Sequence, residues 1–327
     1  MPLSLLMTAG LSFLLYVSGF FVIFTPLPLA LGCLRRGFLN GLVSFLLSLT
    51  LLVMLYRFLP MSFSFLPLAA LESQIGPARV MVLSLIYFFY FGWMGFLVAF
   101  VSKKSWKQEK SFLIILLATL LVPMALLLGY AYTTGWFFLQ DLRSAIRFLM
   151  NRMIALQSQS GMGGEEVSFL KQYADQIVVQ VLGMLPAFWI NFMLMTLSLN
   201  ILFLRRFMGA LTAKPFSSWV EFPSWRLEET WIWIPITAGA FYFANMYGIH
   251  DQRLSLVLIN ILLVMVGIYF LHGLAITNFY LKKTLSPMLR LSAYFLIFLF
   301  AQVIGVFIVA LGVFDFWFDF RKLKKVA

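Results

Sequence analysis

The stretch LSLVLINILLVMVGIYFLHGLAITNFYL, residues 254–281, contains no aspartate, glutamate, lysine or arginine. An α-helix rises about 1.5 Å per residue, so about 20 apolar residues cross the hydrocarbon core of a bilayer. Residues 254–281 are therefore long enough and apolar enough to form a membrane span. The same criterion indicates further spans at residues 3–24, 38–56, 80–101, 111–136, 177–204, 231–248 and 290–313. The predicted fold class is all-α, a polytopic transmembrane helix bundle of about eight spans.

The composition excludes most other classes of protein. The 327 residues are 62% hydrophobic and only 11% charged, whereas a soluble domain is about 25% charged. Cys33 is the only cysteine, so an intramolecular disulfide scaffold is excluded. The net charge of +12 is explained by basic cytoplasmic loops and does not require a nucleic-acid partner. We expect a multi-pass protein of the bacterial inner membrane, with the lipid bilayer as its surroundings.

The basic residues predict an orientation, with one conflict. Lysine and arginine resist translocation, so loops rich in them are cytoplasmic. With eight spans, four basic clusters fall on one side: Arg35–Arg36, Lys103–Lys110, Arg205–Arg206 and Lys282–Lys283. The basic tail from Arg321 to Lys325 then falls on the opposite side. Either the last apolar stretch does not cross once, or one span is miscounted.

Two segments leave alternatives open. The opening sequence MPLSLLMTAG has no basic residue, so it is interpreted as a retained span and not as a signal peptide. Pro26 and Pro28 then mark either a simple helix end or a re-entrant break at residues 25–34. Residues 61–71 are too short to cross, and they either lie at the interface or dip into the membrane and return.

The chain is predicted to form a single integral membrane domain, 1–327, with three polar features. Residues 137–176 form an amphipathic helical insertion, residues 207–230 form a polar loop with tryptophans and prolines, and residues 314–327 form a basic tail. An apolar stripe in the insertion is typical of one helix face, and consists of Leu142, Ile146, Leu149, Met153 and Leu156. The insertion is either a lid over a cavity or, as favoured here, a packing element on the membrane surface. In the loop, Trp219 and Trp225 suggest an ordered turn at the level of the lipid headgroups.

The sequence contains few residues or motifs that indicate catalysis, nucleotide binding or metal binding. No charged residue lies near the middle of any predicted span, which argues against a proton-coupled pump. Motifs for nucleotide binding, for zinc hydrolases and for serine hydrolases are absent, and two histidines with one cysteine are too few for an ordinary zinc site. We therefore expect no catalytic residue, no cofactor and no metal, and we do not expect an enzyme.

Neutral polar and aromatic side chains in the later spans are the remaining candidates. Interhelical hydrogen bonds of amides contribute about 0.6 kcal/mol on average, so most such residues join helices and bind nothing. A pocket needs convergent polar groups among aromatic rings. The candidate pocket residues are Trp189, Asn191, Tyr242, Asn245, Tyr269 and His272.

Three stretches resemble the YybS-like family of bacterial membrane proteins of unknown function. They are Asn260–Ala275 with Phe279–Lys283, Phe216–Glu228, and LGVFDFWFDFR at residues 311–321. Because that family has no established activity, the resemblance implies no catalytic residues. The proline-broken first span and the basic turn after it also look like the substrate-binding subunits of energy-coupling-factor transporters. This second resemblance implies a vitamin or metal ion as ligand, and ATPase subunits encoded as separate chains.

Two functions follow as hypotheses. In the first, the protein binds a small molecule or helps to transport it, with a pocket among the fifth to eighth spans. In the second, it is a non-transporting scaffold for cell-envelope or division proteins, which dock on the loop residues 214–230 and the insertion 137–176.

Overall fold

The computed structural model describes residues 2–58, 76–104, 106–159, 164–208 and 219–322. These residues form eleven α-helices and no strand, which confirms the all-α prediction. The helices are α1 (Pro2–Val17), α2 (Pro26–Arg36), α3 (Phe38–Phe58), α4 (Pro77–Val101), α5 (Gln108–Thr134), α6 (Phe138–Gln159), α7 (Gly164–Met208), α8 (Trp233–Ala244), α9 (Gln252–Thr284), α10 (Pro287–Leu299) and α11 (Ala301–Phe318).

Six of these helices are long and apolar enough to cross a membrane, namely α3, α4, α5, α7, α9 and α11. Two shorter apolar helices accompany them, at Ser4–Val17 and Pro287–Leu299. The polytopic helix bundle is therefore confirmed. Residues 59–75, which include the segment 61–71 discussed above, lie outside the described residues.

Two predicted spans differ from the helices observed. The predicted span 290–313 divides at Phe300 into α10 and α11, and α11 continues to Phe318. The predicted span 231–248 is the shorter α8, extended by a π-helical turn at Asn245–Ile249. Hydropathy detects the apolar run but not the bend within it, because Phe300 is as apolar as its neighbours.

The predicted first span, 3–24, is also interrupted. The helix α1 ends at Val17, and α2 begins at Pro26, where a proline in the first turn needs no hydrogen-bond partner. Nη1 of Arg36, at the end of α2, donates to the carbonyl of Ser4 at 2.6 Å. The two helices therefore form a hairpin that returns to its starting end, and α2 rises only about 16 Å. This is the geometry expected of a re-entrant segment at residues 25–34.

The packing of the helices divides the chain into two units. Unit 1 comprises Met1–Leu182 and Thr196–Ser218, and unit 2 comprises Gly183–Met195 and Trp219–Ala327. In unit 1, α2 packs against α1, α3 and α4. In unit 2, α9 packs most extensively against α11 and also contacts α8. A single membrane domain spanning 1–327 stays a prediction.

The insertion 137–176 is helical, but its apolar stripe is only partly covered. It consists of α6 and the first turns of α7, which is one continuous helix of 45 residues. Leu149, Met153 and Leu156 are exposed, whereas Ala145 and Ile154 are buried. The face of α6 that contacts the rest of the chain is therefore offset from the predicted stripe. Residues 160–163 lie outside the described residues.

In unit 2, the side-chain amide of Asn260 bonds to backbone groups of α7 beside a proline. Pro186 lies inside α7, where it lacks an N–H group and crowds the preceding turn. Oδ1 of Asn260 accepts from the N–H of Ala187 at 2.9 Å, and Nδ2 donates to the carbonyl of Gly183 at 2.6 Å. An unbroken helix would join that N–H to that carbonyl. The amide of a neighbouring helix therefore satisfies both groups.

Replacing Asn260 with leucine is expected to destabilise the protein by about 1–3 kcal/mol, because two buried backbone groups lose their partners. Asn278→Leu is the matched control, since Asn278 accepts only an exposed hydrogen bond from Tyr294. Unfolding in detergent, followed by circular dichroism, compares the two variants. Equal losses of stability would contradict the repair of α7 by Asn260.

Candidate functional site

Three ionisable side chains meet in unit 2, and we call them the charged cluster: His272 on α9, Asp315 on α11, and Arg321 just after α11. Nη2 of Arg321 donates to Oδ2 of Asp315 at 3.0 Å, and it lies 3.0 Å from Nε2 of His272. Nε2 of His272 lies 3.4 Å from the same carboxylate oxygen. The side chains of Asp315 and Arg321 are both 0% exposed, so this ion pair is fully buried.

The end of α11 folds Arg321 back onto Asp315. Asp319 adopts the left-handed conformation, with φ of 40°, and its N–H donates to the carbonyl of Asp315. The N–H of Phe320 donates to Oδ1 of Asp315 at 2.9 Å. The carboxylate of Asp315 therefore stabilises the turn that returns the chain, and it also pairs with the arginine that the turn delivers.

Arg321 also holds the segment that precedes α8. We call residues 219–232 the hinge segment. It contains two short 3₁₀ turns, at Phe222–Ser224 and Glu229–Ile232. Nη1 of Arg321 donates to the carbonyls of Pro223 and Trp225, each at 2.8 Å. The guanidinium therefore joins α9, α11 and the hinge segment at one point. Nε of Arg321 is buried and has no acceptor among the described residues.

Both ring nitrogens of His272 have polar partners. Nδ1 lies 3.0 Å from the carbonyl of Gly312, an atom that can only accept, so Nδ1 carries a hydrogen. Nε2 faces a guanidinium N–H of Arg321, an atom that can only donate. Nε2 also lies 3.4 Å from Oδ2 of Asp315, so this nitrogen has both a donor and an acceptor beside it.

Two glycines allow the helices that carry the charged cluster to touch. A Cβ on Gly273 would lie 1.8 Å from the carbonyl oxygen of Ile308, and a Cβ on Gly312 would lie 2.2 Å from the carbonyl oxygen of Tyr269. Only glycine lets two helix backbones approach this closely. The close contact of α9 with α11 places His272 within reach of the Gly312 carbonyl and of Asp315.

The aromatic residues around the charged cluster form a shell. The rings of Trp225 and Phe316 each have their centroid 5.8 Å from that of His272, and Phe316 also contacts Tyr269 edge-on. The hydroxyl of Tyr269 donates to the carbonyl of Trp231 in the hinge segment at 3.2 Å. Of the predicted pocket residues, Tyr269 and His272 therefore lie together, and both contact the hinge segment.

The other four predicted pocket residues lie elsewhere in unit 2. Nδ2 of Asn191 donates to the carbonyl of Leu263 and joins α7 to α9. Asn245 is buried and closes the turn before α9, through bonds to Asp251 and Ser255. The ring of Trp189 contacts that of Phe192, and the ring of Tyr242 contacts that of Phe243. A pocket shared by all six residues stays a prediction.

The sequence prediction does not include Asp315 and Arg321 in the site, because its last span ends at residue 313. Residues 314–327 were assigned to a basic tail, yet Asp315 and Phe316 belong to α11 and are buried, as is Arg321. Residues 323–327 lie outside the described residues. The available signal was an aspartate and an arginine six residues apart, flanked by aromatic residues, at the end of an apolar run.

The tryptophans of the predicted loop 207–230 pack into the protein. Trp219 is 5% exposed and Leu227 is 8% exposed, and the ring of Trp225 contacts His272. Arg321 binds two carbonyls of the hinge segment and holds the segment against α9. The position of the turn at the level of the lipid headgroups stays a prediction.

The same contacts remove the conflict in the predicted orientation. Nζ of Lys282, at the end of α9, lies 3.8 Å from a carboxylate oxygen of Glu221, and the hydroxyl of Tyr280 donates to the carbonyl of Phe320. The chain therefore leaves α9, passes through α10 and α11, and returns to the end of α9 that it left. Arg321 lies on the same side as Lys282, as the rule for basic residues requires.

A family model described as Predicted membrane protein (DUF2232) matches residues 75–316, which include His272 and Asp315. No curated protein and no solved structure matches the chain.

Proposed function

The chain belongs to the DUF2232 family of predicted membrane proteins, and we propose that it binds a small molecule within the membrane or helps to move one across it. The site lies in unit 2, around the charged cluster. The hinge segment controls access to the site, and Arg321 determines whether the hinge segment is held against α9 and α11.

The observation that carries this proposal is the complete burial of Asp315 and Arg321. Ionised side chains within helices of a membrane protein are costly, and they mark ligand sites, ion pathways or moving elements by default. Removing one partner of a buried pair leaves the other charge without compensation, so the hinge segment is either held by an intact pair or released from it. A segment held by such a pair can therefore act as a two-state element.

The groups available to a ligand fit a small polar molecule. The Nε–H of Arg321 has no acceptor among the described residues. The hydroxyl of Tyr269 and Nδ1 of His272 would exchange their bonds to the carbonyls of Trp231 and Gly312 for bonds to the ligand. Trp225 and Phe316 supply aromatic surface beside them. Small-molecule sites combine a few polar groups with apolar and aromatic walls in this way. The proposal assigns no catalytic residue, cofactor or metal, and it leaves the energy source to partner subunits such as separate ATPases.

A scaffold for cell-envelope or division proteins is the second proposal. It is supported by the exposed apolar residues of α6, namely Leu149, Met153 and Leu156. The exposed carboxylate of Glu221 in the hinge segment offers a polar group to a partner protein. In this function, changes on α6 or at Glu221 would release protein partners, whereas changes in the charged cluster would not.

Affinity purification in mild detergent, followed by mass spectrometry of the bound small molecules and proteins, tests the proposal. The wild type is expected to retain a small molecule, and Tyr269→Phe and His272→Gln are each expected to lower its recovery about tenfold, the effect of one lost hydrogen bond. Arg147→Gln is the control, because it removes an exposed ion pair with Asp175 in unit 1.

The result has three interpretable outcomes. A retained small molecule that depends on Tyr269 and His272 supports ligand binding. Retained envelope proteins that depend on α6 or Glu221, with no small molecule bound, support the scaffold instead. Equal recovery of a small molecule from all variants, including Arg147→Gln, would contradict a site at the charged cluster.

A further inference from the structure

A groove of about 470 Å³ runs between α1 and α2 in unit 1. Its walls are apolar along most of their length, through residues such as Leu11, Leu14 and Leu31. Leu11 is 51% exposed and Leu14 is 63% exposed, so the groove opens outward. The volume falls within the range of about 300–1,000 Å³ that is usual for small-molecule sites.

The charged residues of the groove lie at one end. Arg35 and Arg36 form the last turn of α2, and Nη1 of Arg36 donates to the carbonyl of Ser4, near the start of α1. Leu14 lies ten residues further along α1, which corresponds to about 15 Å of helix. The groove therefore has a cationic end and an apolar end.

No described carboxylate neutralises the charge of this end, because none forms an ion pair with Arg35 or Arg36. The hydrogen bonds recorded for Arg36 use only Nη1, to the Ser4 carbonyl and to Oγ1 of Thr8. The remaining donors of the two guanidinium groups suit a phosphate, which arginine binds through several parallel bonds.

We infer that this groove binds one anionic phospholipid, with its phosphate on Arg35 and Arg36 and one acyl chain between α1 and α2. The assignment rests on the difference between the two ends of the groove. An amphiphile with an anionic head and a hydrocarbon tail complements the cationic end and the apolar end together. A basic pair beside the hydrocarbon region lies at the level where lipid phosphates lie. The site is independent of the charged cluster in unit 2.

Native mass spectrometry of the full chain in detergent, titrated with phosphatidylglycerol, tests the inference. The wild type is expected to bind one phosphatidylglycerol, and phosphatidylcholine at least tenfold more weakly. Arg35→Ala is expected to weaken binding about fivefold, the effect of one charge near an anionic headgroup. Arg143→Ala, which removes an exposed arginine outside the groove, is the control.

A second variant tests the tail without touching the charge. A Cβ on Gly10 would meet no atom within 4 Å, although Gly10 lines the groove. Gly10→Phe is therefore expected to fold and to exclude the acyl chain, so that phosphatidylglycerol binding is lost. Gly129→Phe is its control, since Gly129 also has open space but lies on α5.

Three results would overturn the inference. Equal binding of the two lipids would show that the basic pair does not select an anionic headgroup. Unchanged binding by Gly10→Phe would show that the acyl chain does not lie in the groove. Inorganic phosphate serves as the probe for the headgroup alone. Competition by millimolar inorganic phosphate equal to that by phosphatidylglycerol would assign the site to free anions and not to a lipid.

Discussion

Replacing Arg321 with methionine is expected to destabilise the folded protein by about 3–5 kcal/mol, because the carboxylate of Asp315 is left buried without its counter-charge. The side chains of both residues are 0% exposed, so water cannot compensate. The carbonyls of Pro223 and Trp225 lose their donor in the same variant. Reversible unfolding in detergent, with tryptophan fluorescence as the signal, measures the loss.

A double-mutant cycle separates the ion pair from the packing of Arg321. Asp315→Asn with Arg321→Met removes both charges, and we expect it to recover part of the stability that Arg321→Met loses. Arg147→Gln is the surface control and is expected to cost at most about 1 kcal/mol, since its ion pair is more than half exposed. If Arg321→Met behaved like Arg147→Gln, the buried pair would not exist in the folded protein.

Replacing Gly273 with alanine is expected to separate α9 from α11 and to abolish the bonds between His272 and its partners. The added Cβ would lie 1.8 Å from the carbonyl oxygen of Ile308, a backbone atom that cannot rotate away. Overpacking of this kind costs about 1–3 kcal/mol, and more where backbone must move. Gly312→Ala is expected to have a similar effect, through the carbonyl of Tyr269.

Gly305→Ala is the matched control, because it adds the same methyl group to α11 with ordinary room. Its Cβ would lie 3.7 Å from the ring of Phe270, which is normal van der Waals contact. Unfolding in detergent compares the three variants with the wild type. A loss of stability at Gly305 equal to the losses at Gly273 and Gly312 would contradict the close approach of the two helices.

Much of the fold follows from hydropathy alone. The spans 38–56, 80–101 and 254–281 all lie within observed helices, because a long uncharged stretch has few alternatives to a helix in lipid. The bends after Val17 and at Phe300 could not be predicted in this way. They depend on how neighbouring helices pack, and apolar residues on either side of a bend carry no signal of it.

Only part of the candidate site can be predicted from the sequence, and there is a physical reason why the rest cannot. His272 and Tyr269 can be predicted from the sequence because polar side chains are rare in an apolar helix. In the structure, both side chains contact the ring of Phe316. The sequence places Asp315 and Arg321 in the predicted basic tail, 314–327, because charged residues normally mark the end of a span. Their burial depends on the turn at Asp319 and on two carbonyls of the hinge segment, which are nearly a hundred residues away in the chain.

The sidedness of Lys283 and Lys322 tests the central claim most directly. Single cysteines at these two positions, and at Tyr247 beyond the other end of α9, are labelled in sealed vesicles with a maleimide that cannot cross the membrane. The only native cysteine, Cys33, is buried and gives no background. We predict that the cysteines at 283 and 322 react from one side and the cysteine at 247 from the other. Labelling of 283 and 322 from opposite sides would contradict the buried cluster. Arg321 could not then contact His272 on α9 while it pairs with Asp315 on α11.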